Sequence, residues 1–487
     1  MSYTHGVYIQ ENDTSVTTPV TADSANQFIV GTAPINLLDD PSSAVNVPIL
    51  VEKYSEAMEY LGYSSDWESY TLCQSMYASF KVFNVSPLIF VNVLDPDKHY
   101  SSVTSESNTI SSGAITIEKE GILINANFVV QSSDGATTYT EDTDYTLAFD
   151  DDGYVVLTVL SAGSIGSATE LLLSYRKLDP SAVDKDDIIG SYSSSTGKYT
   201  GLENISQVYP QLGLLPGLIL APGWSHIPSV GIAMIAACES INGIYNCNCI
   251  LDVDTSEVVE YSAVYAWKNS NSYNDKHALV CWPKVVVDDY TFYMSAMLAA
   301  LVAYTDYEND GVPYVSPSNK DFNITGTVLD DGTEIYLDQA QGNTLNGKGI
   351  ITALNLNGWV CWGNNTGIYP TSTDVKDRWI PVRRMFDWWG NTFILTYFQK
   401  VDSAMNRRLI DTIIDTENIR ANGYKAKYQL ADARIEFVSD DNPTTDLIDG
   451  KITFHQYLTP FPPAETIINV LEYDADALTT ALEESDS

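Results

Sequence analysis

The chain has 487 residues, 44% of them hydrophobic and 18% charged, which is typical of a globular protein that is too long for a single core. The net charge is −39, from 64 acidic and 25 basic residues. This charge argues against nucleic acid or an anionic membrane surface as a partner, because both require clustered lysine and arginine.

The charge is unevenly distributed along the chain. Residues 1–350 carry 44 acids and 13 bases, a net charge of −31, whereas residues 376–434 carry 11 bases and 7 acids, a net charge of +4. The C-terminal region is therefore locally basic within an acidic protein. It is either a solvated face or a contact surface for acidic neighbours.

Signals for export, membrane insertion and disulfide formation are not evident in the sequence. Residues 1–5 lack the basic and apolar parts of a secretory signal, and the longest apolar run, Phe292 to Tyr304, is too short to span a bilayer. Six cysteines in 487 residues do not suggest a disulfide framework. We expect buried free thiols in a reducing cytosol.

The N-terminal segment predicts one isolated strand. In residues 4–11, Val7 and Ile9 alternate with polar neighbours around Tyr8, and a polar stretch follows up to residue 26. A lone strand is not stable by itself, so it must pair with a distant sheet, in its own chain or in another.

Strand and helix patterns alternate over residues 27–94 and again over 181–345, which predicts one α/β body with a mainly parallel sheet. Predicted strands include 88–93, 217–220, 245–251 and 278–287. Predicted helices include 54–61, 67–83, 229–241, 256–268 and 290–304. Residues 95–180 lose the helical spacing and gain hairpin turns, so they predict an all-β insertion domain within the body.

Residues 346–464 predict an α+β C-terminal domain, and residues 465–487 a C-terminal arm. The stretch 342–400 holds five of the nine tryptophans and reads as strands followed by a helix that begins at Pro381. A second helix is predicted between a Ser403 cap and Asn422-Gly423. Strands follow at 434–438 and 451–458. After three prolines comes a final strand over 466–473, with Ile467, Ile468, Val470 and Leu471, and then an acidic, frayed tail.

Catalytic and metal-binding patterns are weak in this sequence. Ser225-His226 is adjacent in a loop, but a serine protease needs a serine, a histidine and an aspartate in a defined spatial arrangement, and we find no matching nucleophile or base segment. Cys238, Cys247 and Cys249 could suggest zinc, but four-ligand spacing is missing and buried thiols are the simpler explanation. The aspartate cluster at 150–152 fits a turn better than a calcium site, as no terminal glutamate follows. We predict no enzymatic activity and no cofactor or metal.

Two arginine pairs, Arg383-Arg384 and Arg407-Arg408, form the remaining charged pattern. Both lie on predicted helices with an apolar opposite face. They are either part of a solvated face or salt-bridge donors to acidic partner surfaces.

Several motifs in the C-terminal third occur in an order that resembles contractile phage tail sheath proteins. They are Asn343-Thr344-Leu345-Asn346, Trp362-Gly363-Asn364, Tyr369-Pro370, Arg378-Trp379-Ile380-Pro381-Val382-Arg383-Arg384, Phe386-Asp387-Trp388-Trp389, Asp415-Thr416-Glu417-Asn418-Ile419-Arg420, Asn442-Pro443-Thr444-Thr445-Asp446 and Asp449-Gly450-Lys451-Ile452. Further matches lie at 5–8 and 314–320. The resemblance is dense over residues 310–475 and sparser before them.

The resemblance implies a subtilisin-like α/β body and terminal arms that donate strands to neighbouring subunits. It also implies a helical homo-oligomer around an inner tail tube, with baseplate and tail terminator proteins as further partners, in a virion tail assembled in the bacterial cytoplasm. Contraction would drive the tube through the target cell envelope. On this reading six basic residues face the tube or a neighbour: Arg383, Arg384, Arg407, Arg408, Arg420 and Lys425.

Two alternatives stay open from the sequence. One is an inactive or divergent subtilisin-like hydrolase with a β accessory domain, against which the missing triad motifs count. The other is a surface adhesin, suggested by the Tyr/Ser/Thr-rich insertion, against which the missing signal peptide counts.

Overall fold

The computed structural model describes residues 24–483. The predicted N-terminal strand over 4–11, with Val7, Tyr8 and Ile9, lies outside these residues, as does most of the polar linker that follows it.

Residues 24–94 alternate strands and helices. They form β1 (Gln27–Gly31), β2 (Ile49–Val51), α1 (Tyr54–Leu61), α2 (Leu72–Tyr77) and β3 (Leu88–Asn92). The helix predicted over 67–83 begins later than expected, at Leu72. A π-helical turn, Ala78–Val82, extends α2 at its C-terminal end. Every residue of β1 and β3 is buried, as expected for central strands covered on both faces.

Residues 100–178 form two small antiparallel sheets around a core of their own. The strands are β4 (Tyr100–Thr109), β5 (Ala114–Ile117), β6 (Val129–Ser132), β7 (Thr138–Tyr139), β8 (Tyr145–Phe149), β9 (Val155–Val159) and β10 (Glu170–Leu178). One sheet has the order β4-β10-β6-β7 and the other β5-β9-β8. Phe128 stacks on Tyr175 between them, surrounded by Ile115, Leu157 and Leu173. We call residues 100–178 the β insert.

Residues 185–328 return to α/β alternation. They form α3 (Lys185–Ile189), β11 (Tyr192–Ser193), β12 (Lys198–Tyr199), α4 (Ile205–Leu212), β13 (Leu218–Leu220), α5 (Pro228–Glu239), β14 (Asn248–Asp252), α6 (Val264–Ser270), β15 (Ala278–Cys281), β16 (Lys284–Val287), β17 (Tyr290–Phe292), α7 (Met294–Tyr307) and β18 (Gly326–Val328).

Three predictions in this part are wrong in detail. The helix expected over 290–304 begins only at Met294, because residues 290–292 form β17 and pair with β16. The single strand expected over 278–287 is two strands in different sheets, β15 and β16, because Pro283 has no backbone N–H to continue the ladder. The helix expected over 256–268 begins only at Val264, since the Asp254 carboxylate accepts from the N–H groups of Ser256 and Glu257 and holds them in a turn.

The C-terminal part combines helices with four strands in the residues described. It forms α8 (Gln339–Asn346), β19 (Ile350–Asn355), β20 (Trp359–Trp362), α9 (Val375–Arg378), α10 (Ile380–Tyr397), α11 (Arg407–Ala426), β21 (Asp432–Glu436), α12 (Thr444–Ile448), β22 (His455–Thr459) and α13 (Ala475–Glu483). Pro381 lies in the first turn of α10, as predicted.

Three expectations for this part need correction. Asn406, not Ser403, caps α11, its side chain accepting from the N–H of Leu409 at 3.0 Å. The helix continues past Gly423 because the Tyr424 ring packs on two tryptophans of α10, which outweighs the cost of about 1 kcal/mol of an internal glycine. Residues 475–483 of the tail predicted to fray form α13 instead.

Eight strands of the described chain make the central sheet, in the order β2-β3-β1-β13-β14-β15-β19-β20. The pairs from β3 to β19 are parallel, while β2 and β20 pair antiparallel at the two edges. The prediction of a mainly parallel sheet is confirmed. The β insert leaves this body after β3 and returns before β13.

The domain boundary expected at residue 346 does not separate two cores. It falls at the end of α8, before β19 and β20 complete the central sheet. One continuous hydrophobic cluster runs from Phe28 through Ile351 to Trp388 and Ala433. The C-terminal helices therefore share the core of the body, beside a small cluster of their own around Tyr397, Ile413 and Ile435.

Candidate assembly surfaces and the terminal arms

Two of the five tryptophans of 342–400 build the junction between α10 and α11. Trp388 and Trp389 on α10 contact Tyr424 on α11 edge to face, with ring centroids 5.3 and 5.7 Å apart. Both tryptophans are buried. This aromatic packing fixes α11 against α10 and thereby positions everything that follows α11.

Arg384 is not on a surface, contrary to the prediction that it faces a tube or neighbour. It is buried, and its guanidinium donates to both carboxylate oxygens of Asp306 at 2.9 and 2.5 Å. It also donates to the backbone oxygen of Ser24 at 3.0 Å, while the Ser24 hydroxyl donates to Asp306. A bidentate pair of this kind fixes geometry, so Arg384 fastens the root of the N-terminal arm to the body.

Arg383 and Arg420 are interior residues as well. Arg383 donates to Asp387 at 2.7 Å and to Asp377 at 3.1 Å. Arg420 lies 3.8 Å from the centre of the Trp389 ring and pairs with Glu417 at 2.9 Å; burial lowers the pKa of its guanidinium. The helix faces that carry Arg383 and Arg420 were expected to be solvated. They are buried instead, because α10 and α11 pack against each other.

The other three predicted basic residues do lie on the surface. Arg407 and Arg408 are exposed in the first turn of α11, and Arg407 pairs with Asp411 at 2.9 Å on the same helix. Lys425 is exposed near the end of α11 and pairs with Asp432 at 2.8 Å. Phe398 and Val401, both about two-thirds exposed at 65%, lie in the α10–α11 connection that precedes the arginines in the chain.

The segment predicted as a C-terminal strand has no strand partner within the described chain. Residues 460–474 have no regular secondary structure, and their apolar side chains from Ile467 to Tyr473 are exposed to solvent. Ile467, Ile468, Val470, Leu471 and Tyr473 are between 72% and 87% exposed. From here on, the C-terminal arm is residues 460–474, which overlap the arm predicted over 465–487. Close to its root, β21 and β22 form an antiparallel pair without a third strand among residues 24–483.

Comparison with known proteins assigns the chain to a family. No family model matched the chain. A tail sheath protein of Burkholderia phage BcepMu is 26% identical over 490 residues, 98% of each chain. A putative prophage major tail sheath protein of Pseudomonas aeruginosa is 30% identical over 291 residues, 57% of this chain and 70% of the relative. The chain belongs to the tail sheath protein family.

Solved structures show that this tail sheath protein shares its fold with sheath subunits. The sheath of an extracellular contractile injection system, PVC, in the contracted state, is similar over 98% of this chain and 99% of its own, with a TM-score of 0.58 and 13% identity. The contracted helical sheath of the anti-feeding prophage gives a TM-score of 0.58 over 97% of this chain, with 16% identity. These similarities at low identity establish a mixed α/β, multidomain sheath fold.

The residues that suggested a hydrolase are not arranged as a triad in this tail sheath protein. The Ser225 hydroxyl donates to the Asp252 carboxylate at 2.7 Å, and Ser295 donates to the same carboxylate. His226 instead stacks on Tyr293, with the ring centroids 5.8 Å apart, and burial lowers the pKa of its imidazole. Ser225 therefore donates to a carboxylate and not to His226, which is not the Ser–His–Asp order of hydrogen bonds in a serine protease triad.

No cluster of three or more His, Cys, Asp and Glu side chains among residues 24–483 is placed to hold a metal ion. None of the helices found there is long and apolar enough to cross a membrane. The six cysteines are free and buried, and burial raises the pKa of the Cys73 and Cys361 thiols to about 12.

Sequence reasoning missed the residues that hold the arm roots. Asp306 and Ser24 at the N-terminal root, and Glu465 at the C-terminal root, were not singled out. The one available signal was the motif set itself, because Asn346, Asn365 and Arg378, which contact Glu465, lie in or beside the shared motifs.

Proposed function

We propose that this tail sheath protein is a structural subunit that polymerises with copies of itself around an inner tail tube. Contraction of this helical array from an extended to a compact state drives the tube through a target cell envelope. The energy is stored in the metastable extended array, without cofactor or catalysis. The observation that carries the proposal, beside the family, is the C-terminal arm with its five exposed apolar side chains.

The exposed apolar side chains of such an arm are unfavourable in water. The free energy of the arm falls when another chain covers them. Contiguous exposed apolar residues mark interaction sites, and each buried Leu or Ile contributes about 1.5–3 kcal/mol. In an extended conformation of the arm, Ile468, Val470 and Glu472 lie on one face. Ile467, Leu471 and Tyr473 lie on the other face, and the backbone between them is unpaired. The arm is therefore suited to add a strand to a neighbouring subunit.

The proposed acceptor is the β21–β22 pair of the next subunit. A two-stranded sheet is marginally stable, and its outer edges offer unpaired backbone N–H and C=O groups. A donated strand would satisfy those groups while the flexible arm allows neighbouring subunits to rotate. The N-terminal segment 4–11 is likewise proposed to donate a strand to a sheet of a neighbouring subunit.

The tube-facing surface is proposed to be the first turn of α11, with Arg407 and Arg408 beside Phe398 and Val401. It is the exposed part of the locally basic region, whereas Arg383, Arg384 and Arg420 are excluded by burial. The remaining body is acidic, so it would face outward and keep sheaths apart.

The other proposed partners follow the family. A structure of the anti-feeding prophage baseplate contains a chain similar to this one, with a TM-score of 0.57 and 16% identity. We accordingly expect this protein to contact baseplate and tail terminator proteins at the two ends of the sheath. Its location is then the virion tail, or a related particle, after assembly in the bacterial cytoplasm.

Deleting residues 465–487 tests the proposal. The truncated subunit should remain soluble and folded by circular dichroism but form no sheaths in negative-stain microscopy and sedimentation. Val470→Pro should have the same effect, because proline removes a backbone donor from the added strand.

The matched control is Ala475→Pro. It places proline at the first position of α13, where it is tolerated, and leaves the predicted strand over 466–473 unchanged. Sheaths of normal length from the truncated protein would exclude strand exchange through this arm.

A further inference from the structure

The root of the C-terminal arm is held by a single carboxylate. One Glu465 oxygen, Oε1, accepts from the side-chain amides of Asn346 at 3.2 Å and Asn365 at 3.5 Å. The other, Oε2, lies 3.6 Å from a guanidinium nitrogen of Arg378. Glu465 directly precedes the predicted strand over 466–473, so its position sets the direction in which the arm leaves.

The groups around Glu465 are themselves held in place, with both amides buried. The oxygen of the Asn346 amide accepts from the N–H of Asn364 at 2.9 Å, which turns its N–H₂ group towards Glu465. The oxygen of the Asn365 amide accepts from Arg378 Nε at 3.0 Å, and its N–H₂ group donates to Asn346 O at 3.1 Å and Asn346 Oδ1 at 3.2 Å as well as to Glu465. Both orientations are thus fixed by neighbours before the carboxylate arrives.

Arg378 is also fixed, by two aromatic rings. Its guanidinium carbon lies 4.2 Å from the centre of the Tyr369 ring and 3.8 Å from that of Trp379. Stacked guanidinium groups have little freedom and are less hydrated than lysine ammonium groups. Two oriented amides and a stacked guanidinium are the donors expected of a carboxylate-binding site.

We propose that Asn346, Asn365 and Arg378 form a carboxylate-binding site whose ligand is Glu465 of the same chain, and that this contact is a releasable latch on the C-terminal arm. The inference rests on the proposed function, since the latch matters only if the arm is exchanged between subunits. When Glu465 is bound, the arm leaves the body in one fixed direction. When Glu465 is released, the arm can change direction at Pro460, Pro462 and Pro463, which precede Glu465.

The latch differs from the anchor of the N-terminal arm, although both use the same segment. Arg384, six residues after Arg378, holds Ser24 through a pair in which both side chains are 3–4% exposed. In the Arg378–Glu465 pair the side chains are 17% and 35% exposed, and their separation is longer. Water and salt therefore reach the C-terminal latch but not the N-terminal anchor.

The space needed for movement is present beside the latch. A surface cavity of about 670 Å³ lies between the arm root, Pro463 to Ile467, and a wall that includes Asn343, Trp362 and Tyr369. The arm root can shift into this cavity without displacing the core. Subunit rotation during contraction would then change the C-terminal exit while the N-terminal exit stays fixed.

Arm mobility in the unassembled subunit is the decisive measurement. The six native cysteines are buried, so a cysteine introduced by Ile468→Cys takes up a nitroxide spin label selectively. We expect Glu465→Gln to raise the mobile fraction of the room-temperature spectrum at least twofold. Glu465→Asp should do so less, and Glu472→Gln, an isosteric change further along the arm, should leave it unchanged.

Two further results decide the role of Arg378. Arg378→Lys should raise mobility, and adding it to Glu465→Gln should cause little further change if both act through one contact. Raising the salt concentration should mobilise the label in the wild-type background but not in Glu465→Gln. Equal spectra for all variants, with circular dichroism unchanged, would overturn the latch.

This experiment is independent of sheath formation. If Glu465→Gln frees the arm while the 465–487 deletion still forms sheaths, the latch stands and strand exchange falls. If the deletion abolishes sheaths while Glu465→Gln leaves the spectrum unchanged, strand exchange stands and the latch falls.

Discussion

At the scale of single residues, the buried pair of Arg384 and Asp306 should contribute much more than any surface pair. Removing one partner of a buried ion pair leaves an uncompensated charge, at a cost of about 3–5 kcal/mol. We expect Asp306→Ala to lower the free energy of unfolding by this amount and to release Ser24.

Asp411→Ala is the matched control for that prediction. It removes an aspartate from the exposed pair with Arg407, whose contribution should be below about 1 kcal/mol. Urea unfolding followed by circular dichroism measures both variants. Equal losses would show that the buried pair has no special role.

Lys268 should make stability depend on pH. Its ammonium is buried and donates to the backbone oxygens of Lys348 at 2.7 Å and Tyr369 at 2.9 Å. Burial, and secondarily the charge of Lys348, lowers the pKa of Lys268 from 10.5 to about 7. The unfolded chain then binds more protons between pH 7 and 10.5, so the contribution of this group to stability rises with pH in that window.

The test compares wild type with Lys268→Met at pH 7 and pH 9. A neutral amine still has the two N–H groups that the carbonyls need, whereas methionine has none, so the variant should lose about 1–3 kcal/mol at pH 9 and less at pH 7. Lys53→Met, at a side chain 71% exposed, should show no such trend. A difference that is the same at both pH values would contradict the shifted pKa.

The residue scale is where the sequence was least informative. Arg383-Arg384 and Arg407-Arg408 are the same dipeptide on helices of similar pattern, yet the first pair is buried and the second exposed. The difference comes from Asp306, which lies 78 residues before Arg384 and meets it only in the folded chain. Local periodicity contains no information about such distant partners.

At the scale of elements, α11 is expected to contact the tube. Reversing two charges with Arg407→Glu and Arg408→Glu should weaken tube attachment severalfold while changing the free energy of unfolding by less than about 1 kcal/mol, because both side chains are exposed. Co-sedimentation with purified tubes measures attachment. Lys425→Glu, at the opposite end of α11, is the control for loss of positive charge alone.

A structure of the extended tail provides the contrary result for α11. If both arginines lie in bulk solvent there, the tube-facing assignment is wrong. Lost attachment in the Lys425→Glu control would instead point to net charge rather than to the first turn of α11.

The elements themselves were largely predictable where one physical rule acted alone. Buried strands such as β3 and the start of α10 at Pro381 follow from local pattern. Prediction failed where a second physical effect opposed the local pattern. Pro283 ended a strand within a run of β-forming residues, and the packing of Tyr424 on α10 stabilised α11 beyond Gly423. The C-terminal arm was assigned as a strand from its pattern, but a strand needs a partner, and residues 24–483 of the single chain offer none.

At the scale of the whole molecule, the β insert should be removable. Its first and last strands pair directly, with Tyr100 opposite Leu178, and its core is separate from that of the body. Replacing residues 101–177 with a two-residue turn should leave a soluble subunit that still polymerises. Loss of Leu123, which packs on the body, should cost about 2–3 kcal/mol.

Thermal unfolding and electron microscopy of the deletion variant check this prediction. A variant with Leu178 also removed is the comparison, because that side chain belongs to the body core and its loss should destabilise the protein further. An insoluble protein after the clean 101–177 deletion would show that the insert is part of the folding unit.

The pairing of Tyr100 with Leu178 also has an evolutionary and practical consequence. A chain that leaves and re-enters the body at opposed residues imposes no length or shape on the segment between them. Recombination between these two positions can therefore replace the inserted domain with another without changing the body of the subunit. The same pairing equally lets an engineer display a foreign domain many times along one particle, at a spacing set by the sheath itself.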